Sequence, residues 1–137
     1  MTETAAEFIA RKNAQWEQAR DVPIETKDVG RQGKHRWVRE AWTWHVQHNY
    51  GEKAILIERF RNVGHVGTLA FDGGARAGDI EYRFGYWIVG RVGRAAGRWT
   101  WAQFSPLIPH PDLQVLLSKA RAEGTLLPDA SEPPRSG

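Results

Sequence analysis

The chain contains no cysteine. That excludes a disulfide framework, a thiolate metal site and a cysteine nucleophile, and it fits a reducing compartment. No run approaches the roughly 18–20 consecutive apolar residues of a membrane span. The opening stretch, Met1 to Asp21, is polar and carries Glu3, Glu7 and Glu17, which does not fit a secretory signal. A cytoplasmic protein without a membrane partner is therefore expected.

Catalytic motifs are also scarce. The serines are Ser105, Ser118, Ser131 and Ser136, and none has the glycine-flanked setting of a nucleophile elbow. Ser105 lies near His110, with Asp112 as the only evident orienting acid. Of the five histidines, His45 and His48 are three apart. On a strand that spacing sends them to opposite faces, and adding His65 matches no zinc pattern. Glu40, Glu58 and Glu81 fall on expected strands beside Arg39, Arg59 and Arg83, where ion pairing is the simplest role. These observations call for no cofactor or metal, and they point away from an enzyme.

What the chain does have is basic charge and tryptophan. Its 137 residues, 41% hydrophobic and 26% charged, suit one globular domain. Residues 31–99 hold twelve basic and six acidic groups, between mildly acidic ends. Arginine outnumbers lysine fourteen to five, and its planar fork favours phosphate and carboxylate partners.

The pattern of elements predicts an α+β fold. It comprises an antiparallel sheet of about five strands, open and curled or closed into a small barrel, with an N-terminal and a C-terminal helix packed on it. Thr4 and Glu7 have capping-box spacing, and Pro23 marks the end of the first helix region. Residues 22–34 read as a connection. Trp42, Trp44 and Val46 alternate along a strand over 36–48. Further strands are expected over 54–60, 65–71, 79–89 and 99–104, with turns at 62–64 and 72–78. Pro111 suits the start of a helix carrying Leu113, Leu116, Leu117 and Ala120, and Gly124 its cap. The domain is expected to span 1–124, with a disordered tail over 125–137.

The hairpin formed by the last two strands carries most of the functional signal. A symmetric register pairs Val89 with Trp99, Trp87 with Trp101 and Gly85 with Gln103. One face then holds Ile80, Tyr82, Phe84, Tyr86 and Ile88 with Thr100, Ala102 and Phe104, and is expected against the core. The other holds Arg83, Trp87, Val89, Trp99, Trp101 and Gln103. That mixture of rings and polar groups suits a ligand surface. The intervening loop carries Arg91, Arg94 and Arg98 among glycines, a setting suited to phosphate.

The expected function is a small basic binding module for an acidic partner, foremost nucleic acid. Its ligand-binding residues would be Arg83, Trp87, Arg91, Arg94, Arg98, Trp99, Trp101 and Gln103. Two alternatives use the same rings. One is a pocket for a small apolar or aromatic ligand lined by Trp42, Trp44, Trp87 and Trp101. The other is a protein–protein adaptor or a homodimer joined through the tryptophan face.

Overall fold

A computed structural model describes residues 1–26, 33–66 and 76–128. The chain begins with helix α1 (Ala5–Gln18), whose N-terminus carries the expected capping box between Thr4 and Glu7. Strands β1 (Ile24–Thr26), β2 (Lys34–Val46), β3 (Lys53–Val66), β4 (Ile80–Val89) and β5 (Trp99–Ala102) follow, and helix α2 (His110–Ala122) comes last. The strands form one antiparallel sheet in chain order. It is a curled half-barrel with α1 packed on one face and α2 on the other.

This two-sided cover explains the burial of β3. Ala54, Ile55, Leu56, Ile57 and Glu58 are all buried, although successive residues of a strand point to opposite faces. Ala54 and Leu56 join Phe8 and Trp16 of α1, with Trp44, Val89 and Trp99, in one core cluster. Ile55 and Ile57 join Leu116 and Ala120 of α2 in a second. Curvature is assisted by two irregularities in the β2–β3 ladder, between Arg36 and Trp37 and between Arg39 and Ala41. An extra residue in one strand strengthens local twist.

Several sequence expectations need correction. Residues 24–26, read as part of a connection, form the edge strand β1. Residues 62–64, read as a turn, lie within the continuous strand β3. There the Asn62 side chain accepts a hydrogen bond from the Gly64 amide at 2.8 Å, so a turn-like sequence makes a ladder irregularity instead. The hairpin's faces are also less segregated than expected. Val89 and Trp99 lie in the core under α1, while Tyr82 and Phe84 on the opposite face are 38% and 40% exposed.

The count of five strands holds, because β1 adds a strand and β3 merges two. Strand positions 67–71 and loop positions 72–75 lie outside the described residues, as does the tail from 129 onward. Residues 125–128, expected to begin that tail, continue the packed chain. Thr125 is buried, and the Leu127 amide donates to the Tyr82 hydroxyl. No described helix is long and apolar enough to cross a membrane.

Candidate functional site

The β4–β5 hairpin has the expected register from Tyr86 to Val89, with Trp87 opposite Trp101 and Val89 opposite Trp99. It stops short of the expected Gly85–Gln103 pair, because β5 ends at Ala102. The tryptophans therefore share one face, and α1 lies across part of it. Trp99 stacks on Phe8 with centroids 4.6 Å apart and planes 7° from parallel. Its indole N–H donates to the Glu3 carbonyl at 2.9 Å. Trp87 sits 5.4 Å from Phe8, with the Lys12 ammonium 4.2 Å above its ring. Burial beside these rings pushes the Lys12 pKa down, and the nearby Arg11 and Arg39 charges act in the same direction. Trp42 and Trp44 both donate their indole N–H to the Asn13 side chain of α1, and Trp16 stacks on Trp44. Residues of α1 thus pack directly against Trp42, Trp44 and Trp87, three of the rings considered above as pocket walls.

Trp101 is placed differently. Its ring lies over Gly85, meets Trp87 edge-on at 5.6 Å and has the Arg83 guanidinium 4.9 Å from its centre. Beyond Ala102 the chain leaves the sheet, and a groove of about 240 Å³ opens. Arg83, Phe84, Gly85, Trp101, Gln103 and Phe104 contribute to its lining, with Gln103 and Phe104 exposed. Three of the expected ligand residues, Arg83, Trp101 and Gln103, therefore meet here.

The arginine loop lies at the other end of the hairpin. Arg91 is held by the Tyr50 hydroxyl and the Glu52 carboxylate. Arg94, in a short 3-10 turn, and Arg98 are exposed. Among the described residues neither has a carboxylate within ion-pair distance. The outer edge of β5 connects this loop to the groove.

Two charged clusters were only partly legible in the sequence. Glu58, 1% exposed, accepts from Arg39 at 2.7 Å and from Arg83 at 2.9 Å. Both guanidiniums also lie over the Phe60 ring. The expected pairing of strand carboxylates with strand arginines is thus found here, and again where Glu40 meets Arg59 and Arg61. Burial raises the Glu40 pKa, but hydrogen bonds from Arg61 and Arg59 outweigh it, leaving the carboxyl below its usual range.

The second cluster corrects the histidine reading. His45 and His48 do not diverge, because β2 ends at Val46 and the chain turns before His48. Both imidazoles reach the buried carboxylate of Asp112 in the first turn of α2, at 2.6 and 2.7 Å. The His48 amide donates to it as well. Burial raises the Asp112 pKa, yet the two imidazoles and the amide together hold it below the usual aspartate range. This arrangement ties α2 to the sheet and engages Asp112, the acid considered above for Ser105. Among the described residues, no group of three or more histidine, aspartate or glutamate side chains is arranged to hold a metal ion.

A larger cleft, about 450 Å³, lies between the C-terminal ends of the helices. Its two arginines are paired internally, Arg20 with Glu17 and Arg59 with Glu40, while Glu123 accepts a hydrogen bond from Thr43. It therefore offers an anionic ligand little uncompensated positive charge. In comparisons with family models, curated proteins and solved structures, the chain matches none.

Proposed function

We propose that the protein is a small basic binding module that takes single-stranded nucleic acid along the outer edge of the β4–β5 hairpin. The observation that carries this reading is the groove at the end of β5. It presents the half-buried Trp101 ring, the Arg83 guanidinium and the exposed Gln103 side by side. A single flat base fits such a site, with ring stacking worth roughly 1–3 kcal/mol and a polar neighbour for orientation. Arg94 and Arg98 supply backbone charge at the far end of the same edge. Trp87 and Trp99 support the platform from beneath α1, and Arg91 braces the loop through Glu52. Extended single strands suit a short edge with one ring-sized groove better than a duplex does.

The test is a titration with single-stranded and duplex oligonucleotides, read by tryptophan fluorescence at several salt concentrations. Saturable quenching that favours the single strand and weakens with salt is expected. Each phosphate contact contributes about 0.7 to the logarithmic salt slope on single strands. Arg94→Ala/Arg98→Ala should therefore flatten the slope by about 1.4. No binding at low salt overturns the proposal. Phe84 and Phe104 on the groove rim support a second reading, an apolar aromatic small molecule. Binding that ignores salt and survives the double substitution would favour it.

A further inference from the structure

The sheet has several free edge segments, and they are treated differently. Beyond β1, the exposed edge of β2 is capped by side chains. Arg20 donates to the Glu40 carbonyl and Lys119 to the Trp44 carbonyl. Such caps suppress pairing with another strand. Strand β4 is partnered by β5 only from Tyr86 to Val89. From Ile80 to Gly85, no described strand pairs with its outer side.

The direction of the backbone groups on this segment follows from its neighbours. The Val89 amide donates towards Glu52, and the Asp79 carbonyl accepts from Asn62, so these odd-numbered residues face β3. The Gly90 amide instead donates to Arg98 on the β5 side. Backbone groups alternate along a strand. The amides and carbonyls of Ile80, Tyr82 and Phe84 therefore point outward.

We propose that this segment pairs with the same segment of a second copy, antiparallel about a two-fold axis at Tyr82. Charge selects the register. A centre at Glu81 would set glutamate against glutamate, and one at Arg83 would set arginine against arginine. A centre at Tyr82 places Glu81 opposite Arg83 of the second copy, twice, as non-hydrogen-bonded pairs with closely spaced side chains. It also pairs Ile80 with Phe84 of the second copy on the other face, and joins Tyr82 to its equivalent through backbone bonds. Arg83 spends Nε and Nη2 on Glu58, leaving Nη1 to reach across the axis.

The slot has matching ends. At one, Gly78 at φ +97 turns the chain away before Asp79. At the other, Ala102 of β5 occupies the place beside Tyr86. Between them, Ile80 to Phe84 is the stretch that no described strand pairs, its Phe84 end adjoins the groove lined by Gln103 to Pro106, and Tyr82 is its midpoint. The result is a continuous ten-stranded sheet across two copies, whose interface shares Arg83 and Phe84 with the groove at the end of β5. It does not depend on the nucleic-acid reading.

A five-residue edge with half-exposed Tyr82 and Phe84 makes a small interface, so a reversible dimer is expected. Sedimentation equilibrium of the full chain, from about 10 µM to about 1 mM, should show mass rising from one copy to two. Glu81→Arg sets arginine against Arg83 at both ends of the interface. It should raise the dissociation constant at least about tenfold while leaving the circular dichroism spectrum unchanged. Residues opposite each other in a hydrogen-bonded pair have Cα and Cβ atoms about 5.5 Å apart, too wide for an unstrained disulfide but within reach of a short thiol-to-thiol cross-linker. Because the chain has no cysteine, Tyr82→Cys should give a single cross-linked dimer with such a reagent, whereas Thr100→Cys on β5 should not. Three results would overturn the proposal: a monomer at every concentration, undiminished association of Glu81→Arg, or cross-linking at position 100 but not at 82.

Discussion

Replacing Gly85 by alanine tests the geometry of the groove and the hairpin together. The Gly85 backbone is not in the left-handed region, so alanine introduces no backbone strain. The obstacle is Trp101. A Cβ at position 85 would lie 2.2 Å from its Cη2 and 2.7 Å from its Cζ3, whereas carbons rest about 3.5–4.0 Å apart. The ring must retreat by more than about 1 Å, and the groove that it lines offers room for this. That motion weakens its edge contact with Trp87, worth about 1 kcal/mol, and its contact with Arg83, worth about 1 kcal/mol. Lost burial adds about 1 kcal/mol. Gaining alanine in a strand returns about 0.5–1 kcal/mol, so the net cost is about 2 kcal/mol. Urea denaturation followed by far-ultraviolet circular dichroism would measure it, and the melting temperature should fall by about 6–8 °C. In a Trp101→Ala background the same substitution should be neutral or stabilising by about 0.5 kcal/mol. Equal effects in the two backgrounds, or none in the native one, would refute the placement of Trp101 over Gly85.

Two further substitutions probe the charged clusters. Asp112→Asn should cost about 2–3 kcal/mol at neutral pH, because an amide can accept fewer of the donors now converging on the carboxylate. The Asp112 pKa is lowered on folding. Its contribution is therefore fully present above about pH 4 and lost as pH falls through the folded value. Asp112→Asn should show a flatter acid limb in stability, and parallel limbs would count against the proposed contacts. Glu58→Gln leaves Arg39 and Arg83 without their shared counter-charge. Breaking a buried pair costs about 3–5 kcal/mol, but Arg83 is 40% exposed, so about 2–3 kcal/mol is expected after allowing for solvent screening. A loss below about 1 kcal/mol in chemical denaturation would show that solvent already satisfies both arginines.

Local signals were read correctly where the chemistry is local. The Thr4–Glu7 box, the Trp42–Trp44 alternation and the pairing of Trp87 with Trp101 each depend on residues adjacent in sequence or joined by a short loop. The α+β class and the five-strand count rest on the same patterns. Misreadings arose where a distant partner decided the outcome. Residues 62–64 carry turn chemistry, yet β2 pairs with Asn62 and Gly64, and the backbone of Gly78 and Asp79 bonds to Asn62, holding them in a ladder. His45 and His48 diverge on an ideal strand, but the end of β2 and the arrival of Asp112 from α2 bring them together.

The candidate site divides in the same way. The amino-acid order determined that one hairpin would gather tryptophan on one face and arginine in its loop, because strand periodicity and loop length are properties of neighbours. Whether those rings meet solvent was decided by α1, which begins about 80 residues earlier in the chain and covers Trp87 and Trp99 while leaving Trp101 beside a groove. Burial depends on what packs from afar, and no local pattern encodes the angle at which a helix crosses a curled sheet. That no described strand pairs with the outer side of β4 from Ile80 to Gly85 is likewise a tertiary fact, because β5 is shorter than the strand it pairs with.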